Sequence, residues 1–223
     1  MQAEVFSRDR DISDGDPIVA VVDGPSQKIL RSVPKSSNTR IWPPRVRFYY
    51  TVGDREAKHD ENFPYRIPFE RGKSVPVAQG FFGKSTHKGD RAYAIDFLVP
   101  EGTEVHAARD GVVVEVVQHF NEGGTDPSFG PKANFIKVQH SDRTVGAYLH
   151  LRENGVLVHL GQKIQEGDLI GYSGNTGLSY APHLHFEVMR PKNGIDVISM
   201  PFQFQLGETA KLVELREGVS YQR

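Results

Sequence analysis

Apolar and polar residues alternate with a period of two over much of the chain, a pattern typical of β-strands with one buried face. In the run 45–52, valine, phenylalanine and tyrosine occupy one set of alternate positions, and arginine and tyrosine occupy the other. Two apolar, β-branched runs at 17–24 and 28–33 precede it, and turn residues separate the three. The pattern therefore predicts short strands in the N-terminal part of the chain.

Two polar stretches interrupt these strands. Residues 34–44 are rich in Pro, Ser and Asn, and residues 54–64 are charged and nearly free of aliphatic side chains. Both are typical of exposed loops. We place a boundary near residue 72 and predict three parts: a β-rich N-terminal region at 1–72, a main domain at 73–205 and a C-terminal extension at 206–223.

Beyond the boundary the strand pattern becomes more regular. Strand-like runs, rich in valine and broken by glycine-containing turns, lie at 105–117, 134–139, 144–151 and 156–171. Only 209–216 resembles a short amphipathic helix, so the predicted fold class is all-β. The stretch 120–132 is too rich in glycine and proline for a strand, and we expect a long exposed loop beside a site.

One strand-like run, at 181–188, carries two histidines. If Leu184, Phe186 and Val188 form its apolar face, period-two geometry places His183 and His185 together on the opposite face. Two imidazoles directed to one point suggest a metal site or a reaction. The alternative is a pair of surface histidines on a half-buried strand, and the choice depends on partners elsewhere in the chain.

Composition limits what those partners can be. The chain has 223 residues, 38% of them hydrophobic, and its apolar runs are too short to span a membrane. Its 27 basic residues nearly balance its 28 acidic ones, so charge gives no reason to expect nucleic acid as a partner. Because there is no cysteine, a zinc ion would have to bind histidine and carboxylate ligands.

Three further residues could complete such a site. His87 lies in a polar loop, His150 ends a strand, and Asp96 stands in the otherwise apolar run 93–100, where a carboxylate is costly unless it is paired or binds a cation. A catalytic zinc takes three His or carboxylate ligands and a water. His87, Asp96 and His185 have the right chemistry for ligands, while His150 and His183 could accept the proton of the water or bind an oxyanion.

The other histidines are interpreted as structural or solvated: His59, His106, His119, His140, which ends a strand, and His159. There is no His-Glu-x-x-His sequence, so a general base of the kind found in such helices has no candidate.

At this point several motifs resemble a known family. They are, in the family's order, His87, Asp96-Phe-Leu-Val-Pro-Glu-Gly-Thr-Glu-Val105, Tyr148-Leu-His-Leu151, Gly161-Gln-Lys-Ile-Gln-Glu-Gly-Asp-Leu-Ile-Gly171 and Gly174-Asn-Thr-Gly-Leu-Ser-Tyr-Ala-Pro-His-Leu-His-Phe186. Together they resemble the lysostaphin-type zinc endopeptidases of peptidase family M23 over residues 80–190.

The resemblance implies a compact antiparallel β-sheet domain, or β-sandwich, whose groove holds one Zn²⁺ ion. It implies hydrolysis of peptide bonds in bacterial peptidoglycan, in stem-peptide cross-links or bridge peptides. By position, His87, Asp96 and His185 resemble the zinc ligands, and His150 and His183 resemble the catalytic pair. A wall substrate implies a periplasmic or extracellular location, although the first residues have neither the basic start nor the apolar middle of an export signal.

Two features depart from the family pattern. The commonest pattern has three residues between the first histidine and the aspartate, whereas eight, 88–95, lie between His87 and Asp96 here. We expect this longer spacer to reshape one groove wall. The resemblance also leaves residues 1–72 unexplained, so this region could be positioning, inhibitory or structural.

Two other functions are considered. A catalytically inactive relative could bind a cell-wall hydrolase or peptidoglycan as a regulator, but such relatives usually lack a ligand, and all five site residues are present here. The runs 110–116 and 161–171 also resemble the folds that carry biotin or lipoate. Those carriers need a lysine at a hairpin tip between hydrophobic residues, and this sequence has none.

Overall fold

A computed structural model describes residues 2–6, 18–21, 47–207 and 211–223, with side chains from residue 50 onward. The first three strands form an antiparallel sheet in the order β2-β1-β3: β1 (Gln2–Phe6), β2 (Ile18–Val21) and β3 (Arg47–Thr51). Two of them lie within the predicted runs 17–24 and 45–52. The pattern did not predict β1, and the predicted strand 28–33 and loop 34–44 lie outside the described residues.

Sixteen further strands follow. In chain order they are β4 (Pro64–Tyr65), β5 (Ser74–Gln79), β6 (Ala94–Leu98), β7 (Glu104–His106), β8 (Gly111–Val117), β9 (Gly123–Gly124), β10 (Asn134–Gln139), β11 (Val145–Val156), β12 (Lys163–Ile164), β13 (Leu169–Ser173), β14 (Gly177–Leu178), β15 (His183–Pro191), β16 (Val197–Ser199), β17 (Gln203–Gln205), β18 (Leu212–Val213) and β19 (Ser220–Gln222). The helices of the described part are two short 3-10 turns, Gly89–Arg91 and Pro127–Lys132. The all-β prediction is confirmed.

An eleven-stranded sheet dominates the molecule. Its main path is β12-β8-β10-β11-β15-β6-β5-β19, while β7, β13 and β16 pair beside it. Neighbours along this path are antiparallel. The central strands β11, β15 and β6 carry four of the five predicted site residues: His150, His183, His185 and Asp96. None of the helices in the described part of the chain has the length and apolar character that a membrane span requires.

Aromatic side chains fill the core beneath this sheet. Phe186 packs edge-to-face against Phe202, with ring centroids 5.3 Å apart, and Phe202 does the same against Tyr65 at 5.6 Å. Such pairs add to the free energy gained by burying apolar surface. The same cluster contains Phe97 and Leu215, so residues on both sides of the positions 72 and 205 contribute to it. The three-part division stays a prediction.

The helix expected at 209–216 is wrong for the described residues 211–216. Leu212 and Val213 form β18, which pairs with β17 in the register Gln205 to Leu212 and Phe204 to Val213. Both side chains are half-buried. Backbone pairing with the preceding strand β17, which itself pairs with β4, overrides the local helical pattern here.

A buried polar cluster ties the connection 54–64 to the sheet. Asp142 accepts hydrogen bonds from Arg109 Nη1 at 2.8 Å and from Thr144 Oγ1 at 2.6 Å, and His59 Nδ1 lies 3.6 Å away. Burial alone would raise the pKa of Asp142, but His59, Thr144 and Arg109 hold that pKa well below its ordinary value. His59 is buried within this cluster, which agrees with a structural interpretation of this histidine.

Asp142→Asn should lower the free energy of unfolding at neutral pH by about 3 kcal/mol, because it leaves Arg109 buried without its counter-charge. Because the pKa of Asp142 is lower in the folded state than in the unfolded state, its charge stabilises the fold at pH values above the unfolded pKa, which is near 4. This contribution is lost as the pH falls below that value. The deficit of the variant should therefore shrink in urea unfolding at about pH 3. The exposed pair of Lys132 and Glu122 provides the control, since Glu122→Gln should cost less than about 1 kcal/mol. Equal losses in the two variants would contradict the assignment.

Candidate metal centre

Strand pairing places the central residues of the site. In the register of the sheet, His185 on β15 lies opposite Asp96 on β6 and opposite Leu149 on β11. Leu184, Phe186 and Val188 are fully buried in the core. His183 and His185 therefore share the other face of the strand, as the alternation predicts.

His87, Asp96 and His185 come together in a single buried cluster. Asp96 Oδ1 lies 2.9 Å from His185 Nδ1 and 3.2 Å from His87 Nε2. One potential ligand atom from each residue lies within 4.8 Å of the other two. The structure thus brings the three predicted metal ligands to one point, although His87 comes from a loop before β6.

The hydrogen bonds of His87 decide what this cluster can bind. His87 Nδ1 lies 2.8 Å from the carbonyl oxygen of Gly80, which can only accept, so Nδ1 carries the proton. In the neutral imidazole the lone pair of Nε2 then faces a carboxylate oxygen. Two acceptors at this distance repel each other unless a proton or a metal ion lies between them. Two imidazole nitrogens and one carboxylate oxygen form a donor set that suits zinc, with a fourth position for water.

The close contacts between His87, Asp96 and His185 also shift the pKa values of the cluster. Burial would raise the pKa of Asp96, but hydrogen bonds and charge from His185 and His87 hold it well below its ordinary value. Burial would lower the pKa of His185, yet Asp96 and Glu187 raise it to about 9. In the absence of a metal ion, the carboxylates draw a proton onto His185. The site therefore attracts positive charge.

His150 and His183 lie side by side next to this cluster. Their ring centroids are 4.4 Å apart, and His183 Nε2 is 3.8 Å from Asp96 Oδ1. His150 Nδ1 donates to the carbonyl oxygen of Thr176 at 2.7 Å, and His183 Nδ1 donates to that of Ala181 at 2.8 Å. Each neutral ring therefore has an Nε2 lone pair that can accept a proton.

Burial keeps both rings neutral. It is the largest cause that lowers the pKa of His150 to about 3, with repulsion from His183 and His185 next. Burial also lowers the pKa of His183. The backbone of His150 has a φ of 64°, in the left-handed region that non-glycine residues rarely adopt. Strained positions of this kind cluster at functional sites.

Sequence reasoning assigned no role to Glu187, the next residue on the same strand face after His183 and His185. Its side chain is fully buried, 2.9 Å from Arg91 Nη2 and 3.9 Å from His185 Nε2. Burial would raise the pKa of Glu187, but Arg91 and His185 lower it. Extending the period-two pattern by one step would have found this residue.

Arg91 belongs to the eight-residue spacer that departs from the family pattern. The spacer forms the 3-10 turn Gly89–Arg91, and Asp90 at its exposed side accepts a hydrogen bond from Lys192 Nζ at 2.7 Å. Arg91 lines the cavity beside the cluster. The additional residues thus supply a cation to one groove wall and a partner to the buried Glu187.

A groove of about 430 Å³ opens over these residues. Its opposite wall is the segment 178–181, in which Tyr180 is 71% exposed. The stretch 120–132 supports this wall, because Gly123–Gly124 pairs with Gly177–Leu178 and Ser179 N donates to Gly124 O at 3.0 Å. The predicted loop therefore does flank the site, and it contains β9 and a 3-10 turn.

The remaining histidines of the described part of the chain lie away from the groove. His140 is buried, and burial lowers its pKa to about 3. His106 Nδ1 donates to Gly167 O at 2.8 Å, His119 stacks on Phe120, and His159 is exposed. These positions agree with structural or solvated histidines.

Comparison with known proteins gives a consistent result. Residues 90–197 match the model of Peptidase family M23. Peptidoglycan DD-endopeptidase ShyA of Vibrio cholerae is 36% identical over 126 residues, which cover 55% of this chain and 26% of that protein. Lysostaphin of Staphylococcus simulans is 36% identical over 136 residues, which cover 60% of this chain and 24% of that protein. The chain thus spans about a quarter of the length of these relatives.

Among solved structures, the catalytic domain of the antimicrobial peptidase lysostaphin from Staphylococcus simulans is 30% identical, with a TM-score of 0.38. That match covers 52% of this chain and 79% of the other. The matched range 90–197 of the family model contains Asp96, His150, His183 and His185, and His87 lies just before it. The chain therefore belongs to peptidase family M23.

Proposed function

We propose that this chain is a zinc metalloendopeptidase that hydrolyses peptide bonds of bacterial peptidoglycan. The observation that carries the proposal is the juxtaposition of a buried His87, Asp96 and His185 cluster with two neutral imidazoles at the floor of an open groove. The names of the relatives, a peptidoglycan DD-endopeptidase and lysostaphin, support the substrate class.

His87, Asp96 and His185 would hold one zinc ion, through His87 Nε2, Asp96 Oδ1 and His185 Nδ1. Bound zinc supplies a Lewis acid and lowers the pKa of its water towards neutrality. Asp96 contributes the negative charge of the donor set. Glu187, paired with Arg91, lies 3.9 Å from the other nitrogen of His185 and places a negative charge beside that ring.

His150 and His183 would perform the proton chemistry. Each ring is held by a backbone carbonyl at Nδ1, so its Nε2 is available to the reacting atoms. One imidazole can accept the proton of the attacking water. The imidazolium that results can then donate this proton at the scissile bond, to the oxyanion or to the leaving amine. Catalysis by a positioned imidazole contributes typically about 10²- to 10⁴-fold.

The groove is open to solvent and has a volume of about 430 Å³, which suits a peptide within a polymer. Both stem-peptide cross-links and bridge peptides are candidate substrates. Because the wall lies outside the cytoplasm, the enzyme would act in the periplasm or outside the cell. We assign this activity to residues 73–205. The N-terminal region 1–72 and the extension 206–223 lie outside that assignment.

Digestion of purified sacculi tests the proposal. Protein that carries about one zinc per chain should release soluble muropeptides. Mass spectrometry of the products should show new amino and carboxyl ends at one type of peptide bond, which identifies the bond that is cut. Removal of zinc with a chelator should abolish the release, and added zinc should restore it.

Two outcomes would contradict the proposal. Zinc-loaded protein that leaves sacculi from both glycine-bridged and directly cross-linked walls intact would exclude the activity. A zinc-free, inactive protein that still binds sacculi would instead favour the regulatory alternative.

A further inference from the structure

The side chain of Gln79 is a buried amide next to the candidate metal centre. Gln79 is the last residue of β5 and only 8% exposed, and a register shift between Val77 and Gln79 turns it from the core face of Val77 to the face of Asp96. Pairing between β5 and β6 places it opposite Asp96. A polar side chain at an inward position is costly unless its hydrogen bonds are satisfied.

All the hydrogen-bonding capacity of this amide is used. Gln79 Nε2 donates to Asp96 Oδ2 and to Thr86 Oγ1, each at 2.9 Å. Gln79 Oε1 accepts from the backbone N–H groups of Ser85 at 2.9 Å and Thr86 at 3.3 Å. Two donors and two acceptors are the full inventory of a primary amide. The orientation of the amide is also decided, because the backbone N–H groups need an oxygen and the carboxylate needs a donor.

These contacts give the two carboxylate oxygens of Asp96 different partners. Oδ2 is held by Gln79, whereas Oδ1 faces His185 at 2.9 Å and His87 at 3.2 Å. A carboxylate anchored in this way presents one oxygen to an ion. If Gln79 did not hold Oδ2, the carboxylate could rotate and offer both oxygens.

The loop that carries His87 is built around the same side chain. A Cβ atom at Gly83 would lie 2.1 Å from Gln79 Cγ, so only glycine allows the loop to pass this closely. Gly80, the next residue after Gln79, accepts the Nδ1 proton of His87 through its carbonyl oxygen. Two consecutive residues at the end of β5 thus orient two of the three candidate ligands.

We propose that Gln79 is a positioning residue of the metal centre: it restricts Asp96 to coordination through Oδ1 and ties the loop of His87 to that carboxylate. This inference rests on the proposed zinc site but is separate from it, since the same three ligands could bind zinc without Gln79. Partners that orient metal ligands typically change metal affinity by about 10- to 100-fold when they are removed.

Gln79→Met tests this role, because methionine keeps the length of the side chain and removes all four hydrogen bonds. The dissociation constant for zinc, measured by competition with a chromogenic chelator, should rise about 10- to 100-fold. With cobalt(II) in place of zinc, the visible absorption bands should weaken, since a freed carboxylate can add a second oxygen to the coordination sphere. Thr86→Val is the matched control: it removes the other acceptor of the same amide and keeps the contact with Asp96. Its cobalt spectrum should match that of the unmodified chain.

The outcomes separate this inference from the proposed function. If the unmodified chain binds neither zinc nor cobalt, the proposed function fails. If it binds both, and a folded Gln79→Met has the same zinc affinity and cobalt spectrum, Gln79 does not position the site. If Thr86→Val changed the zinc affinity and the cobalt spectrum as much as Gln79→Met does, the inference would also be overturned. The contact between Gln79 and the loop would then explain the effect without the contact to Asp96.

A measurement on the unmodified chain covers the case in which Gln79→Met does not fold. In ¹⁵N-resolved NMR spectra, the two side-chain amide protons of Gln79 should exchange slowly, and the one donated to Asp96 should shift when zinc is added. Amide resonances that do not respond to zinc would contradict the proposal.

Discussion

Replacing Asp96 with alanine is expected to abolish metal binding and to reduce sacculus hydrolysis by roughly 10³-fold or more. The reason is that a bound metal lowers the activation barrier by several kcal/mol. Asp96 Oδ1 is the atom that both ligand histidines face, and Asp96 is the carboxylate of the three-residue donor set. Without it two imidazoles remain, too few to form a catalytic zinc site. Zinc per chain, measured by mass spectrometry after dialysis, should fall from about one to near zero.

His185→Ala should give the same result, since it removes a second ligand from the centre of the sheet. Asp90→Ala is the matched control: Asp90 is an exposed carboxylate in the same spacer region and pairs with Lys192 rather than with the cluster. It should retain one zinc per chain and full hydrolysis. Stoichiometric zinc in a folded Asp96→Ala protein would show that the metal binds elsewhere.

Local sequence patterns account for much of the central part of this site. The alternation of apolar residues with His183 and His185 identifies the strand face, and the cost of burying Asp96 in an apolar run identifies the carboxylate. Family motifs add His87 and His150. These inferences are possible because each depends on neighbours within a few residues along the chain.

The contacts that support the site could not be predicted in this way. Gln79 meets Asp96 because β5 pairs with β6, and Arg91 meets Glu187 across a separation of 96 positions. Strand order in a sheet depends on tertiary packing rather than on local alternation. The strand at Leu212–Val213 also depends on tertiary packing, because its partner β17 is held by the distant strand β4.

His150→Ala should separate metal binding from proton transfer. His150 lies outside the ligand cluster, with Nδ1 bound to the carbonyl oxygen of Thr176 and its ring against His183. The variant should therefore retain one zinc per chain, while the turnover number on sacculi falls by about 10²- to 10⁴-fold. His150→Asn serves as a second variant, because asparagine tolerates the left-handed backbone at this position.

The pH profile and a control histidine sharpen this test. Since burial lowers the pKa of His150 to about 3, its imidazole stays neutral as the pH falls through 6.5, the ordinary value for histidine. Protonation of this ring should therefore not limit activity near pH 6 in the unmodified chain. The exposed His159 lies away from the groove, and His159→Ala should keep both zinc and turnover. Full activity of His150→Ala on isolated cell walls, with zinc bound, would assign the proton transfer to His183 alone.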